Sequence, residues 1–254
     1  MKHVKRIYMA LIYLFLYLPI LILIIFSFNE GRTRGIWEGF SLHWYISLFS
    51  NQEIMDALKN TVLVAVIATI CATIIGSLGA IGLYEFKPRF RNFFLGVNQV
   101  PVINPDIVAA VGLMVLFRNL RIGSGFLTLL FSHIGFTVPY VVLSVLPKLK
   151  QMPRSLVEAG MDLGATPMQT LWLVVLPQIK SGIISGALMA FTLSIDDFVI
   201  SFFTTGNGVE TVSTMVYSMA KRGINPEINA LSTLMFVTML ILLFAMNTKA
   251  KEEK

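Results

Sequence analysis

Charge is scarce in this chain. Asp, Glu, Lys and Arg together make up 13% of its 254 residues, about half of what a soluble domain carries, which excludes an ordinary water-facing globular surface. Cysteine is nearly absent: Cys71 stands alone, so no intramolecular disulfide forms and no Cys/His metal site is assembled. No nucleophile–base pair or metal-ligand cluster is visible, and His133 is isolated within its apolar segment; a membrane-embedded enzyme is therefore disfavoured. No G-x-x-x-x-G-K-[ST] sequence occurs, so the loop that cradles nucleotide phosphates is missing. The first apolar run ends in Ser27-Phe28-Asn29-Glu30, a poor signal-peptidase site, and is expected to stay as a helix. Internal repeats and low-complexity tracts are not visible.

What is present is apolar length. Hydrophobic residues make up 56%, and six segments are long enough for a hydrocarbon core that needs about 20 apolar residues. Ile7–Phe28, Asn60–Tyr84 and Ile228–Thr248 carry no Asp, Glu, Lys or Arg. Ile122–Pro147 is interrupted only by His133, Asn92–Phe117 by Asp106, and Ser181–Val209 by Asp196 and Asp197. Runs of this length are far too long for barrel strands, so they are helices. The expected fold is an all-α membrane protein with six transmembrane helices.

Orientation follows from Lys and Arg. With the amino terminus inside, the inner segments hold Lys2, Lys5, Arg6, Lys87, Arg89, Arg91, Lys148, Lys150, Arg154, Lys180, Lys249, Lys251 and Lys254. The outer segments hold Arg32, Arg34, Lys59, Arg118, Arg121, Lys221 and Arg222. This bias places both termini in the cytoplasm. The net charge of +6 flanks membrane spans, and its partner is the lipid bilayer rather than nucleic acid. The expected organisation is an N-terminal helix with an external loop over 1–55, a membrane core over 56–248 with a cytoplasmic loop at 148–180, and a cytoplasmic tail over 249–254. In the external loop, Trp37, Phe40, Trp44, Tyr45, Ile46, Leu48 and Phe49 point to an interfacial surface helix.

The cytoplasmic loop carries its own punctuation. Ser155-Leu156-Val157-Glu158 has the form of a capping box, and Gly164 falls where a helix stop needs positive φ. Thr166-Pro167-Met168-Gln169 is a second start signal, with Pro177 near the end of that second helix. The spacing predicts a short helix, a glycine turn and another short helix. Leu156, Val157, Met161, Leu163, Met168, Leu171, Trp172 and Val175 would need a protein surface to cover them.

Carboxylates inside a span are costly and usually face a cavity, a partner or a pathway. Ser194, Asp197 and Ser201 recur at helical spacing and form one polar stripe with Thr204 or Thr205, while Asp196 points about 100° away. Gly182, Gly186, Ala190 and Ser194 lie four apart and suit close helix packing, as do Ala68, Ala72, Gly76 and Ala80. Asn98 and Asp106 are expected on similar azimuths of one helix, which Pro101 and Pro105 loosen between them. No acid has a Lys or Arg within its own span, which favours a cationic solute. His133 is read as a hydrogen-bonded packing residue.

Glu158-Ala159-Gly160, three residues, Gly164, nine residues, then Val174-Val175-Leu176-Pro177 resembles the EAA loop of bacterial ABC importer permeases. Gly160 stands for Ala and Val174 for Ile in that pattern. The resemblance implies an ABC type I importer permease architecture, in which Glu158, Ala159, Gly160, Gly164, Leu176 and Pro177 form the loop that docks on an ATPase. Phe191 through Asp197 with Thr205-Gly206, and Asn104 through Val108, are similar to permeases of spermidine/putrescine importers of the PotC type. So are Phe131 through Ile134, Tyr217-Ser218-Met219 and Pro226 through Leu231, and the likeness covers nearly the whole chain. It implies a second permease subunit in a heterodimer, an ATP-binding cassette ATPase dimer, an external solute-binding protein, a polyamine substrate and a bacterial inner membrane. Asp197, Asp196 and Asp106, with Ser194 and Ser201, are the expected pathway residues; no cofactor or metal is expected. The alternatives are an ABC permease for another solute, such as a phosphonate, opine or metal complex, and a self-contained secondary transporter or channel.

Overall fold

The computed structural model describes residues 2–32, 35–206, 208–222 and 226–252, with side chains described from Val4 to Ile241. Arg34 and Lys254, two of the charges assigned above, lie outside the described residues, as does Glu253. The helices in chain order are α1 (Lys2–Ser27), α2 (His43–Ser50), α3 (Gln52–Glu85), α4 (Pro88–Ile103), α5 (Asp106–Asn119), α6 (Phe126–Gln151), α7 (Arg154–Asp162), α8 (Pro167–Thr170), α9 (Leu176–Ile195), α10 (Val199–Thr204), α11 (Val212–Arg222) and α12 (Glu227–Glu252). A π-helical turn, Leu171–Val175, joins α8 to α9.

Four of these stretches are long and apolar enough to cross a bilayer: Val4–Ser27, Gln52–Glu85, Phe126–Gln151 and Pro167–Ile195. The pair α4 and α5 qualifies together but is bent by 104°, and the described apolar part of α12 is the shorter Glu227–Ile241. With the bent pair as one crossing and α12 running on to Glu252, this is compatible with the expected six. Residues 249–252 of the expected tail continue α12.

The chain forms two compact units, Met1–Asp56 with Met215–Lys254, and Ala57–Thr214. In the first, α1 and α12 pack together and α2 packs on α12. The expected surface helix is confined to α2, which buries Trp44 and Leu48 and exposes Ile46 and Phe49. Trp37 and Phe40 lie before it, in a loop stapled by Asn29. The Asn29 side chain donates to the Ile36 carbonyl at 2.9 Å and accepts from the Glu38 amide at 2.8 Å. The Trp44 indole in turn donates to the Asn29 carbonyl at 2.7 Å.

In the second unit, α6 is the central element. Val141, Val142, Val145, Leu146 and Leu149 form its buried stripe, joined by Ala72 and Ala80 of α3 and by Ile179 and Ala190 of α9. The small-residue faces read from sequence are the contacts. A Cβ on Gly76 would stand 2.6 Å from Cβ of Val141, and one on Gly186 would stand 3.1 Å from Cα of Val141. One residue of α6 is thus clasped from both sides. Helices approach this closely only where side chains are missing.

Two spans depart from expectation. Asn92–Phe117 is not a single loosened helix. Asn104 is extended (φ −76°, ψ 146°) and Pro105 precedes α5 at φ −55°, ψ 138°. Proline drives the residue before it out of the α region, and Pro101 has already removed one donor a turn earlier. The resulting bend means that Asn98 and Asp106 do not share a face. Ser181–Val209 is likewise broken: α9 stops at Ile195, Asp196 takes φ −103°, ψ 2°, and helix resumes only at Val199.

Candidate coupling hairpin and polar membrane site

The hairpin begins where Pro153 ends α6. Met152 is extended (ψ 127°), as a residue before proline prefers, and α7 starts at once after Pro153. Ser155 therefore lies inside the helix rather than at its cap, and no side-chain cap is formed. The expected Ser155–Glu158 capping box is overturned for that reason: an N-cap residue needs non-helical backbone. Glu158 and Ala159 are exposed.

Gly164 makes the turn at φ +87°. The Ala165 amide donates to the Gly160 carbonyl at 3.2 Å and the Gly164 amide to Met161 at 2.8 Å, the paired bonds of a Schellman stop. Thr166 then caps α8 reciprocally: its amide donates to Gln169 Oε1 at 2.8 Å, and the Gln169 amide donates to Thr166 Oγ1 at 3.3 Å. Gly160 faces the returning arm, where a Cβ would meet Thr170 Cγ2 at 3.4 Å and Val174 Cγ2 at 3.5 Å. These are ordinary contact distances, so the position faces the hairpin's own second arm and has room for the alanine of the family pattern.

The second arm does not end at Pro177, which stands in the first turn of α9. Within the π turn the Leu176 amide reaches back to the Leu171 carbonyl. This wider register takes the chain out of α-helical pairing one residue before Pro177, where an α-helix would lack a donor. The hairpin and the fifth span are consequently one continuous helical run. Val175 is buried, and Val157, Leu171 and Leu176 pack on the core. Leu163 is 90% exposed, Leu173 73%, Trp172 64% and Met168 63%: the tip and outer face remain apolar and uncovered. The Arg154 guanidinium lies 5.7 Å from the Tyr84 ring centroid and ties the start of α7 to the end of α3. That pairing had no local signal in the sequence, because its members are seventy residues apart.

The polar site gathers around the second helix break. His133 of α6 is buried. Its Nδ1 lies 2.7 Å from Ser194 Oγ on α9, its Nε2 lies 3.0 Å from Ser201 Oγ on α10, and Asp197 Oδ2 is 3.6 Å from the same Nε2. Asp197 also accepts the Ile200 amide at 3.2 Å and the Ser201 amide at 2.7 Å, so both carboxylate oxygens cap α10. Its side chain is 7% exposed. Three predicted residues, Ser194, Asp197 and Ser201, are thus brought together, with His133 as the hub. Asp196 is exposed, and its carbonyl accepts from Ser213 Oγ at 3.4 Å. Asp106 is exposed too, at the first position of α5, where a carboxylate complements the helix dipole. Among the described residues, His133 is joined by Ser194, Ser201 and Asp197 and not by Asp106.

A family model described as the binding-protein-dependent transport system inner membrane component matches residues 72–248. The chain belongs to this family. The matched stretch of this permease holds the hairpin, the His133 cluster and both broken spans. Among its relatives, the spermidine/putrescine transport system permease protein PotC of Escherichia coli (strain K12) is 41% identical over 97% of this chain and 93% of that protein. PotC of Haemophilus influenzae is 38% identical over 94% and 93%. The putrescine transport system permease protein PotI of Escherichia coli (strain K12) is 40% identical over 87% and 81%. In fold, the permease superposes on a chain of a bacterial ABC transporter involved in the import of the acidic polysaccharide alginate, with TM-score 0.73, 17% identity, and 99% and 98% coverage. It also matches a chain of the MetNI methionine ABC transporter, with TM-score 0.63, 18% identity, and 80% and 99% coverage. The fold is that of an ABC importer permease, all-α and multi-pass.

Proposed function

We propose that this chain is the permease subunit of an importer that takes up polyamines, spermidine and putrescine, and that it lines half of the pathway beside a second, non-identical permease subunit. The observation that carries the substrate class is the 41% identity to PotC across 97% of the chain. A two-ATPase motor and an external solute-binding protein complete the assembly, because the chain has no phosphate-cradling loop of its own. The bias of Lys and Arg supports both termini, and the 148–180 loop, in the cytoplasm of a bacterial cell whose inner membrane the 56–248 core spans.

The geometry supports a mechanical reading. The apolar hairpin tip around Leu163, Met168 and Trp172 docks in a groove of the ATPase. Glu158, Ala159, Gly160, Gly164, Leu176 and Pro177 shape and seat that hairpin. When the ATPase dimer closes on ATP, the hairpin moves, and α9 moves with it as one rod. Twenty residues of helix span about 30 Å, so displacement at the hairpin reaches the break at Asp196–Phe198. There the exposed Asp196 carboxylate offsets the lost hydration of a passing ammonium group, Asp106 adds a second acidic station, and Asp197, Ser194 and Ser201 hold the break in shape.

The test is uptake of labelled spermidine and putrescine by a strain stripped of its own polyamine importers and supplied with this permease and its neighbouring transport genes. Saturable uptake of either polyamine that vanishes when the ATPase gene is removed is the expected result. Uptake unaffected by that removal, or absent for both polyamines while another solute is imported, overturns the reading.

A further inference from the structure

The fifth span is broken at Asp196–Phe198, and a break in a rod that carries movement is a place where movement is lost unless the break is held. A buried hydroxyl stands on each side of it, Ser194 in the last turn of α9 and Ser201 in α10. One side chain reaches both. His133 of α6, itself buried, places Nδ1 2.7 Å from Ser194 Oγ and Nε2 3.0 Å from Ser201 Oγ.

The rest of α6 is fixed to the two sides of the break separately. Towards the cytoplasmic hairpin it is clasped by α9: a Cβ on Gly186 would stand 3.1 Å from Cα of Val141, and one on Gly182 would stand 3.0 Å from the Ser144 carbonyl oxygen. At the other end Thr128 Oγ1 donates to the Thr204 carbonyl at 2.8 Å and pins the last residue of α10. His133 lies between these fixings, at the level of the break itself, so α6 acts as a splint along a bent rod. Asp197 gives the central bond its direction. As a carboxylate it only accepts, and it stands 3.6 Å from Nε2, which favours the tautomer with hydrogen on that nitrogen. Nε2 then donates to Ser201, and Nδ1 accepts from the Ser194 hydroxyl. Ser194 orients the ring within the α6–α9 pair, and Ser201 carries the contact across the break.

We propose that His133 is a positioning residue for transport. It keeps the elbow between α9 and α10 rigid, so that the exposed Asp196 at its apex moves with the rod that the hairpin drives instead of lagging behind it. A buried ring meets no solute, so its effect falls on how much solute each ATP moves and not on how tightly solute is held. This inference rests on the hairpin-driven reading above and adds a residue that reading does not use.

Two amide side chains separate the two bonds. Glutamine sets its amide nitrogen where Nε2 stands and keeps a donor for Ser201, whereas asparagine reaches only the Nδ1 position and keeps Ser194. A serine left alone can bond the carbonyl four residues before it, and Thr128 still holds α10, so both variants should assemble. In proteoliposomes holding this permease, the second permease subunit and the ATPase, with the solute-binding protein added, uptake of labelled spermidine and putrescine is measured beside ATP hydrolysis. Polyamine imported per ATP hydrolysed should fall about tenfold in His133→Asn and less than about threefold in His133→Gln, with KM for uptake unchanged in both. Ser201→Ala removes the same bond from the other side and serves if the histidine variants fail to assemble. It should match His133→Asn, and the double variant should be no worse than either alone. A second readout does not depend on the solute: in the assembly held with a non-hydrolysable ATP analogue, the amides of α10 should exchange hydrogen at least about tenfold faster in His133→Asn than in wild type. An unchanged import ratio in His133→Asn, even at lower uptake, an equal loss in the asparagine and glutamine variants, or unchanged exchange in α10 each overturns the proposal. A wild-type assembly that imports neither polyamine overturns the substrate reading alone, and the exchange measurement then decides the role of His133.

Discussion

Asp196 and Asp197 are chemically identical and one peptide apart, yet their surroundings give them different work. Asp197 spends both oxygens on the amides of Ile200 and Ser201. Asparagine has a single acceptor oxygen, so Asp197→Asn leaves one of those amides without its partner and weakens the charge beside His133. It should destabilise the protein by about 1–2 kcal/mol, read as a lower midpoint in a detergent unfolding assay of the purified permease. Asp196 is exposed at the end of α9, and its side chain caps nothing. Asp196→Asn should leave that midpoint unchanged. Under the proposed function it slows polyamine uptake roughly ten- to a hundredfold, the kinetic equivalent of 1.5–3 kcal/mol. A normal uptake rate with Asp196→Asn, or an unchanged midpoint with Asp197→Asn, contradicts this division. Helical azimuth puts Asp197 on the polar stripe and turns Asp196 away from it, because it assumes an unbroken helix, whereas α9 stops at Ile195. Two carboxylates in an apolar run carry no local mark of where a helix stops. His133 poses the same difficulty, since its partners come from α9 and α10, sixty-one and sixty-eight residues away.

Within the hairpin, what was legible was local. Gly164 and the Thr166–Gln169 box are satisfied within a few residues of themselves, so their spacing was enough. The Ser155–Glu158 box failed because a stronger local rule, the proline at 153, set the helix start first. The π turn was illegible, because Leu171–Val175 is an ordinary apolar sequence whose register is settled by Pro177 and by packing on α6. The same logic gives two tests. At Gly164 a Cβ would meet nothing within 4 Å, yet φ is +87°, so the penalty of Gly164→Val is conformational and about 1–2 kcal/mol or more. The hairpin should open while membrane insertion stays normal, and co-purification with the ATPase should fall. A variant that retains both wild-type ATPase association and wild-type uptake removes the docking role. Leu163→Asp should weaken the same association without that strain, since Leu163 is 90% exposed and a charge there harms only a surface that becomes buried. Thermal stability of the free permease is the control that should not move.

At the level of the whole molecule the topology turns on the bent pair α4 and α5. A 104° bend is compatible with a broken crossing or with a re-entrant loop, and the two differ in which side of the membrane everything downstream occupies. Sixteen and fourteen residues extend about 24 Å and 21 Å, so neither helix crosses a core of about 30 Å alone. Charge argues for a crossing. Lys87, Arg89 and Arg91 stand at the start of α4, a strong inner-side cluster, and a re-entrant loop would bring Arg118 and Arg121 back to that same face. The extra cations would then be followed by α6, whose far end carries Lys148 and Lys150, and the hairpin would be left on the outer side with its own bases, Arg154 and Lys180. A crossing puts all of these inside and leaves only Arg118 and Arg121 outside. The single native thiol makes the question testable. In a Cys71→Ala background, Gly123→Cys adds a side chain where nothing lies within 4 Å, and Lys87→Cys reports the other end of the pair. If the pair crosses, a membrane-impermeant maleimide applied to intact cells should label position 123 at once and position 87 only after permeabilisation. Identical accessibility at the two positions makes α4 and α5 a re-entrant loop, and the cytoplasmic placement of the hairpin would have to be abandoned with it.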